Sequence, residues 1–288
     1  MKIIEPNVQE IKDFEGVDNF YKAVARAARI CYASDKTTDD KELCERLIKS
    51  GHTSPFAHAI LYIPIYGEFR KWAIENKESK EWKIIDTAKF TKYIVSEYSE
   101  DKGHFELAIN GRTLVESAIE HSDNIIQALD DTLKIIKMFE LNNHWFKSFI
   151  VDTSIGCTRE MNRHHDNFYI CEQSTRYCNF SKDKFGGEIA INKPYWYDTD
   201  EVNPCYKCAW ESAIADAEQH YFEMVRGNVS TDIIRGVLPL DTHTRAIYTA
   251  TTNEWQHIID LRLKGTTGKP HGDIKVIAEK INNIINKQ

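Results

Sequence analysis

Between Arg159 and Tyr177 the chain concentrates side chains that hold anions and move protons. Arg163 and Arg176 carry planar guanidinium forks suited to a phosphate or a ring carbonyl. His164 and His165 can donate or stack, Glu160 and Glu172 accept, and Ser174 can donate to a phosphate oxygen. The same residues at a solvated helix end would make ordinary surface ion pairs, and composition alone weighs the two readings about evenly. A second set lies near the C-terminus: Arg235 ahead of Gly-Val-Leu-Pro239, then Asn253, His257, Arg262 and His271. Asn253 and His257 are four apart and share one face of a helix, whereas Arg262, five further on, points elsewhere on a regular helix. That placement predicts different ligands or different subunit surfaces for His257 and Arg262. A third set, Gly51-His52-Thr53-Ser54-Pro55-Phe56-Ala57-His58, has the composition of a loop whose polar side chains commonly satisfy turn amides.

Other chemistries find less support. Cys205-x-x-Cys208 has no second pair at structural-zinc spacing, and His220 is the nearest histidine further along, so no metal is expected. No cysteine sits in a strand-to-helix elbow, and neither a Gly-x-Gly-x-x-Gly nor a Walker loop occurs.

The elements that must position these residues are legible from periodicity. Helices are expected over Tyr21 to Tyr32 and Leu43 to Lys49, and a strand over Ala57 to Tyr66, with Pro64 marking an edge or bulge. Residues 67–143 are more charged and read as a helical insertion, with helical patterns at Arg112 to His121 and Asn124 to Glu140. A strand at Trp145 to Ile155, a short helix near Cys157 to His164 and a strand at Glu188 to Asn192 follow. Then come helices at Cys205 to Arg226 and Asp232 to Val237, and a strand at His243 to Thr251. Helices at Asn253 to Leu263 and Asp273 to Asn286 close the chain. Strands interleaved with longer helices favour an α+β or α/β class, and 288 residues suit one domain carrying an insertion.

The 37 basic and 44 acidic residues leave a net charge of −7 without blocks of one sign, so neither nucleic acid nor a membrane surface is the expected partner. Any anionic ligand must be held by local arginines. The opening residues lack a signal-peptide pattern and no stretch reaches membrane-spanning length. Seven scattered cysteines make poor material for a disulfide framework. A soluble, cytoplasmic protein with reduced thiols is the expectation.

Three ordered blocks give the sequence a family likeness. They are Ala27-Ala28-Arg29-Ile30-Cys31-Tyr32 with Gly51 to His58; Arg163-His164-His165 with Glu172-Gln173-Ser174-Thr175-Arg176-Tyr177; and Arg235 to Pro239 with His257-Ile-Ile-Asp-Leu-Arg262 and His271. In these the chain resembles the flavin-dependent thymidylate synthases of the ThyX type, whose signature reads Arg-His-Arg followed by Glu-x-Ser-x-Arg-Tyr. The resemblance implies a single α+β catalytic domain over 1–288, with a mixed or antiparallel sheet flanked by helices. It implies reductive methylation of dUMP to dTMP, with methylenetetrahydrofolate as one-carbon donor, FAD as redox carrier and NADPH as reductant, in a homotetramer with shared active sites. It assigns FAD contacts to Cys31, His52, Ser54, Arg163, His164, His165, Glu172, Asn253 and His257. Nucleotide contacts fall to Glu160, Arg163, Gln173, Ser174, Thr175, Arg176, Arg235 and Arg262. Arg262 becomes the catalytic group that favours the ionised pyrimidine, with no cysteine nucleophile. Three positions depart from the pattern: His165 replaces the second Arg, Asn253 stands where an Arg is frequent, and Glu160 where a Gln is common. Those departures keep open a related flavin- and folate-dependent pyrimidine nucleotide methyl- or hydroxymethyltransferase, and a non-catalytic nucleotide-binding paralogue.

Overall fold

The computed structural model describes residues 1–34, 37–89, 94–99, 104–164 and 166–287. Two short strands open it, β1 (Lys2–Ile4) and β2 (Asn7–Ile11). They lead into α1 (Phe20–Tyr32), whose Phe20, Ala23, Val24, Ala27 and Ala28 form a buried face at helical spacing. Ala33, in the left-handed region, ends α1. Helix α2 (Asp40–Lys49) starts where Asp39 accepts from the Lys41 and Glu42 amides. Strand β3 covers Ile60–Pro64 only, because the Ser54–His58 stretch ahead of it winds into a 3-10 turn around Pro55.

Residues 67–143 hold α3 (Gly67–Glu75), α4 (Lys80–Ala88), strands β4 (Ile94–Ser99) and β5 (His104–Asn110), α5 (Gly111–His121) and α6 (Ile125–Phe139). The helical periodicity of this stretch is therefore interrupted by a strand pair. β5 lies between β3 and β4 in an antiparallel three-stranded sheet, which leaves β3 with its Pro64 on an edge where a missing amide donor costs nothing. Phe69, Ile84, Ile85, Leu114, Leu129 and Ile136 share one core with α1 and α2.

The rest of the chain comprises β6 (Phe146–Ser154), α7 (Ile155–Met161), β7 (Phe168–Glu172), β8 (Ala190–Asn192), α8 (Pro204–Arg226), α9 (Thr231–Ile234), β9 (His243–Thr251), α10 (Thr252–Ile259) and α11 (Gly272–Ile285). The main sheet is antiparallel in the order β2-β6-β9-β7, and β1 pairs with β8 in a separate parallel pair. The α+β class expected from the sequence is the class observed. Register decides which side chains meet: Ile150, Ile247 and Cys171 are cross-strand partners facing α1, while Phe149, Val151 and Tyr248 face α10 and α11. Trp255 of α10 anchors the second face, fully buried, edge-on to Phe149 at 4.9 Å and donating from its indole to the Lys147 carbonyl at 3.0 Å.

β2 and β7 carry no strong sequence signal. β2 is short and alternates at the sheet edge, and β7 lies inside the polar motif, where Phe168-Tyr169-Ile170-Cys171-Glu172 is too brief for periodicity to register.

Candidate functional site

Strand β6 delivers α7 to the end of the main sheet. Ser154 fixes the turn, its hydroxyl accepting from the Cys157 amide at 3.0 Å, and Cys157, Thr158 and Met161 are buried. Glu160 is then left half-buried, with Arg163 exposed just beyond the helix.

Arg262 arrives from the other end of the chain. Thr251 caps α10 by accepting from the Glu254 amide at 3.2 Å, and after Ile259 the backbone opens to π spacing over Asp260–Lys264. Arg262 and His257 nevertheless both meet His164, which corrects the expectation that the two face different surroundings. Arg262 Nη1 donates to Glu160 Oε2 at 2.9 Å, its Nη2 to the Glu160 carbonyl at 3.0 Å, and its Nε to His164 Nε2 at 3.3 Å. Only 16% of the Arg262 side chain is exposed, so this is no surface ion pair.

A guanidinium has no lone pair to offer, so His164 Nε2 must accept, and the ring proton resides on Nδ1. Nδ1 lies 3.6 Å from Glu254 Oε1, which orients the buried imidazole. The His257 ring stands edge-on to it, centroids 5.9 Å apart. Glu160 also lies 3.5 Å from Arg163 Nη1. The result is a permanently charged fork, held from three sides, able to hold negative charge developing on a heterocycle.

Glu172 ends β7 and is clamped to α7, accepting from Thr158 Oγ1 at 2.8 Å and Asn162 Nδ2 at 3.3 Å, while Tyr248 donates to Asn162 at 3.1 Å. The following loop is pinned by backbone bonds, Gln173 N–H to the Arg245 carbonyl at 2.8 Å and Ser174 N–H to the Cys31 carbonyl at 2.9 Å. Ser174 Oγ accepts from the Arg176 amide at 3.3 Å, and Arg235 Nη1 donates to Thr175 Oγ1 at 3.4 Å. Arg176 Nε donates to Asp232 at 2.8 Å, an exposed pair that can exchange its carboxylate for a phosphate. Ser174, Thr175, Arg176 and Arg235 thus meet around one patch.

Beside that patch the exposed Tyr177 ring lies 5.6 Å from Tyr32, whose hydroxyl meets His52 Nδ1 at 3.1 Å. Under it the Cys171 thiol hydrogen-bonds to the Cys31 sulfur, lowering the pKa of Cys31 and raising that of Cys171. Ser54 and Asn253 are exposed, the first at the head of the Ser54–His58 turn and the second in the first turn of α10. His165 lies outside the described residues.

The profile of a protein family described as thymidylate synthase complementing protein matches residues 102–288. This chain belongs to that family, ThyX. As a ThyX chain it stands among the dUMP methyltransferases. No curated protein sequence matches it. Among solved structures, those of the UMP/dUMP methylase PolB from Streptomyces cacaoi are similar, at low identity. With 5-Br dUMP bound, the identity is 16%, the TM-score 0.44, and the coverage 100% of this chain and 93% of that one. With 5-Br UMP bound, the values are 15%, 0.46, 100% and 92%.

Within this ThyX chain, Glu160, Arg163, His164, His257 and Arg262 form one cluster. Cys31, His52, Glu172, Gln173, Ser174, Thr175, Arg176 and Arg235 belong to the neighbouring loop region, with α7 joining the two. Glu254, Asn162, Thr158 and Asp232, which hold the functional side chains in place, carry no sequence signal apart from proximity to a motif. His271 stands apart, against Tyr195 at the head of α11, with ring centroids 5.8 Å apart. The described residues contain no group of three His, Cys, Asp or Glu able to hold a metal, and no helix long and apolar enough to cross a membrane.

Proposed function

We propose that this chain converts dUMP to dTMP by reductive methylation, using methylenetetrahydrofolate, NADPH and FAD, in a cytoplasmic homotetramer whose subunits share active sites. The observation that carries the reading is the convergence of Arg262 on Glu160 and His164 across 98 to 102 residues of sequence, in a chain of the ThyX family. Ser174, Arg176 and Arg235 would take the nucleotide phosphate, with Gln173 and Thr175 beside them. Arg262 would stabilise negative charge spreading onto the pyrimidine carbonyls once its N3 proton is lost, Glu160 and Arg163 setting the orientation of the fork. In the same reading residues 67–143 are an insertion within one catalytic domain spanning 1–288.

The residues assigned to FAD fit such a group by their donor set. Arg163, Asn253 and His257 are exposed and polar, suited to phosphate and ring carbonyl oxygens, and Cys31, His52, Ser54 and Glu172 line the neighbouring region. The flavin would supply the hydride that turns a transferred methylene into a methyl group, a job no side chain performs. The chain's own part is to bind, orient and polarise, with His164 held neutral on its Nε2 side by the Arg262 N–H. No thiol is assigned as nucleophile, and burial pushes Cys157, the cysteine of α7, up to about 12.

The test is a product-identified assay. Purified protein is expected to be yellow from bound flavin and to release dTMP when given dUMP, methylenetetrahydrofolate and NADPH. Absence of both bound flavin and turnover would defeat the proposal. Glu160 favours a second reading, since its carboxylate cancels part of the Arg262 charge and can only accept hydrogen bonds from a base. A hydroxymethylated product, or another pyrimidine nucleotide as substrate, would appear directly in the product mass.

A further inference from the structure

A cavity of about 660 Å³ opens beside the Glu172–Tyr177 loop, between α1, β1, β8 and the central strands β6 and β9 of the main sheet. Gln173 lines it, but none of Glu160, His164, Ser174, Arg176, Arg235 or Arg262 does. Its floor is apolar, with Ile30, Ile150, Phe180 and Phe185, a surface suited to a flat ring system.

Its charged wall is unbalanced. Lys22 and Arg26 share the single carboxylate of Asp13. Lys184 donates to the Ala33 carbonyl at 2.6 Å, and among the described residues neither it nor Lys2 has a carboxylate partner. One donor there is also incompletely used. Arg29 is held by Asp40 and the Thr38 carbonyl, yet its Nε is buried without a partner. His243 directs Nε2 to Asp152 at 3.5 Å, which makes its buried and unpartnered Nδ1 the accepting nitrogen of the neutral ring. A permanently protonated Nε shut away from water costs free energy unless an acceptor reaches it.

We propose that this cavity is a second ligand site, for an organic anion with a flat apolar body and a phosphate or carboxylate tail. The body rests on Phe180 and Phe185, and the tail lies between Lys2, Lys184 and the Lys22–Arg26 pair. Gln173 connects the site to the nucleotide loop, because its amide is bonded to the Arg245 carbonyl and the next amide to Cys31. A free nucleotide and the pterin-glutamate body of a folate share this chemistry.

The probe is anilinonaphthalene sulfonate, a fluorescent flat anion, titrated into the purified protein. One saturable site is expected. Ala190→Trp, which fills the cavity from β8, and Lys184→Glu, which reverses its charge, are each expected to weaken the probe at least about tenfold, with the far-ultraviolet dichroism unchanged. Displacement by dTMP or by 5-formyltetrahydrofolate then names the source of the natural ligand. A probe affinity weaker than millimolar, or one that neither substitution alters, overturns the proposal. The readout needs no turnover, so failure of dUMP methylation leaves it intact.

Discussion

Arg262 is the residue on which most of the site depends. It satisfies Glu160 twice and His164 once, so its removal takes away a held positive charge and leaves a carboxylate without its principal partner. Arg262→Ala is expected to lower kcat for dTMP formation by about 10²–10³-fold while flavin absorbance is retained; an unchanged kcat removes Arg262 from the chemistry. Arg176 plays a different part, exposed, ion-paired to the exposed Asp232 and lying over the Tyr177 ring. Arg176→Ala is expected to weaken dUMP binding by roughly 1.5–3 kcal/mol through loss of a charge-assisted bond, read by calorimetric titration. Both residues were legible in the sequence through the resemblance to the ThyX pattern, Arg176 within Glu172–Tyr177 and Arg262 closing His257-Ile-Ile-Asp-Leu-Arg262. Glu254 was not legible, since an acidic residue in the first turn of a helix ordinarily serves the helix dipole, and only tertiary contact gives it His164.

Short, capped segments carry the site. α7 spans only seven residues, and its start rests on the Ser154 hydroxyl. Ser154→Ala is expected to cost about 1 kcal/mol of stability, read as a lower denaturation midpoint, and to reduce activity further by loosening Glu160. An effect on neither would show that packing alone sets the helix. The Ser54–His58 turn has a comparable anchor. His58 is fully buried, with Nδ1 2.9 Å from Thr249 Oγ1, and burial pushes its pKa down to about 3. The unfolded chain binds this proton near pH 6.5 while the folded chain does not, so His58 causes stability to fall as pH drops from about 6.5 toward 3, by up to about 1.4 kcal/mol per pH unit. Denaturant titrations from pH 7 to 5 are expected to show a shallower decline for His58→Gln than for the unsubstituted chain; equal slopes would mean that His58 is protonated in the fold. The length of β3 followed the same logic, since Pro55 turns the chain before the strand begins.

At the scale of the whole molecule, two cores flank the main sheet, and the site lies where α7, β7 and α10 emerge from it. The loop with Arg176, Arg235, Tyr177 and Ile233 is open to solvent, as a shared site between subunits requires. A homotetramer of the 33.4 kDa chain is expected in light scattering, and a monomeric mass with full activity would rule out shared sites. Residues 67–143 enter the same hydrophobic core as α1 and α2 through Phe69, Ile84 and Leu129, and β5 pairs with β3. Deleting them would therefore open that core.

The sequence by itself determined the long helices, β6, β9 and the α+β class, because each has enough turns or alternating positions for burial to leave a pattern. It also determined the polar vocabulary of the site, Glu160 to Arg176 together with Arg235, His257 and Arg262. Tertiary structure alone decided the partnerships. The Arg262 contacts depend on the end of α10 lying against α7, the Glu172 clamp depends on α7 lying against β7, and the three-stranded sheet depends on β5 meeting β3. Such outcomes arise from contacts between residues 10 to 102 positions apart, which no local periodicity encodes.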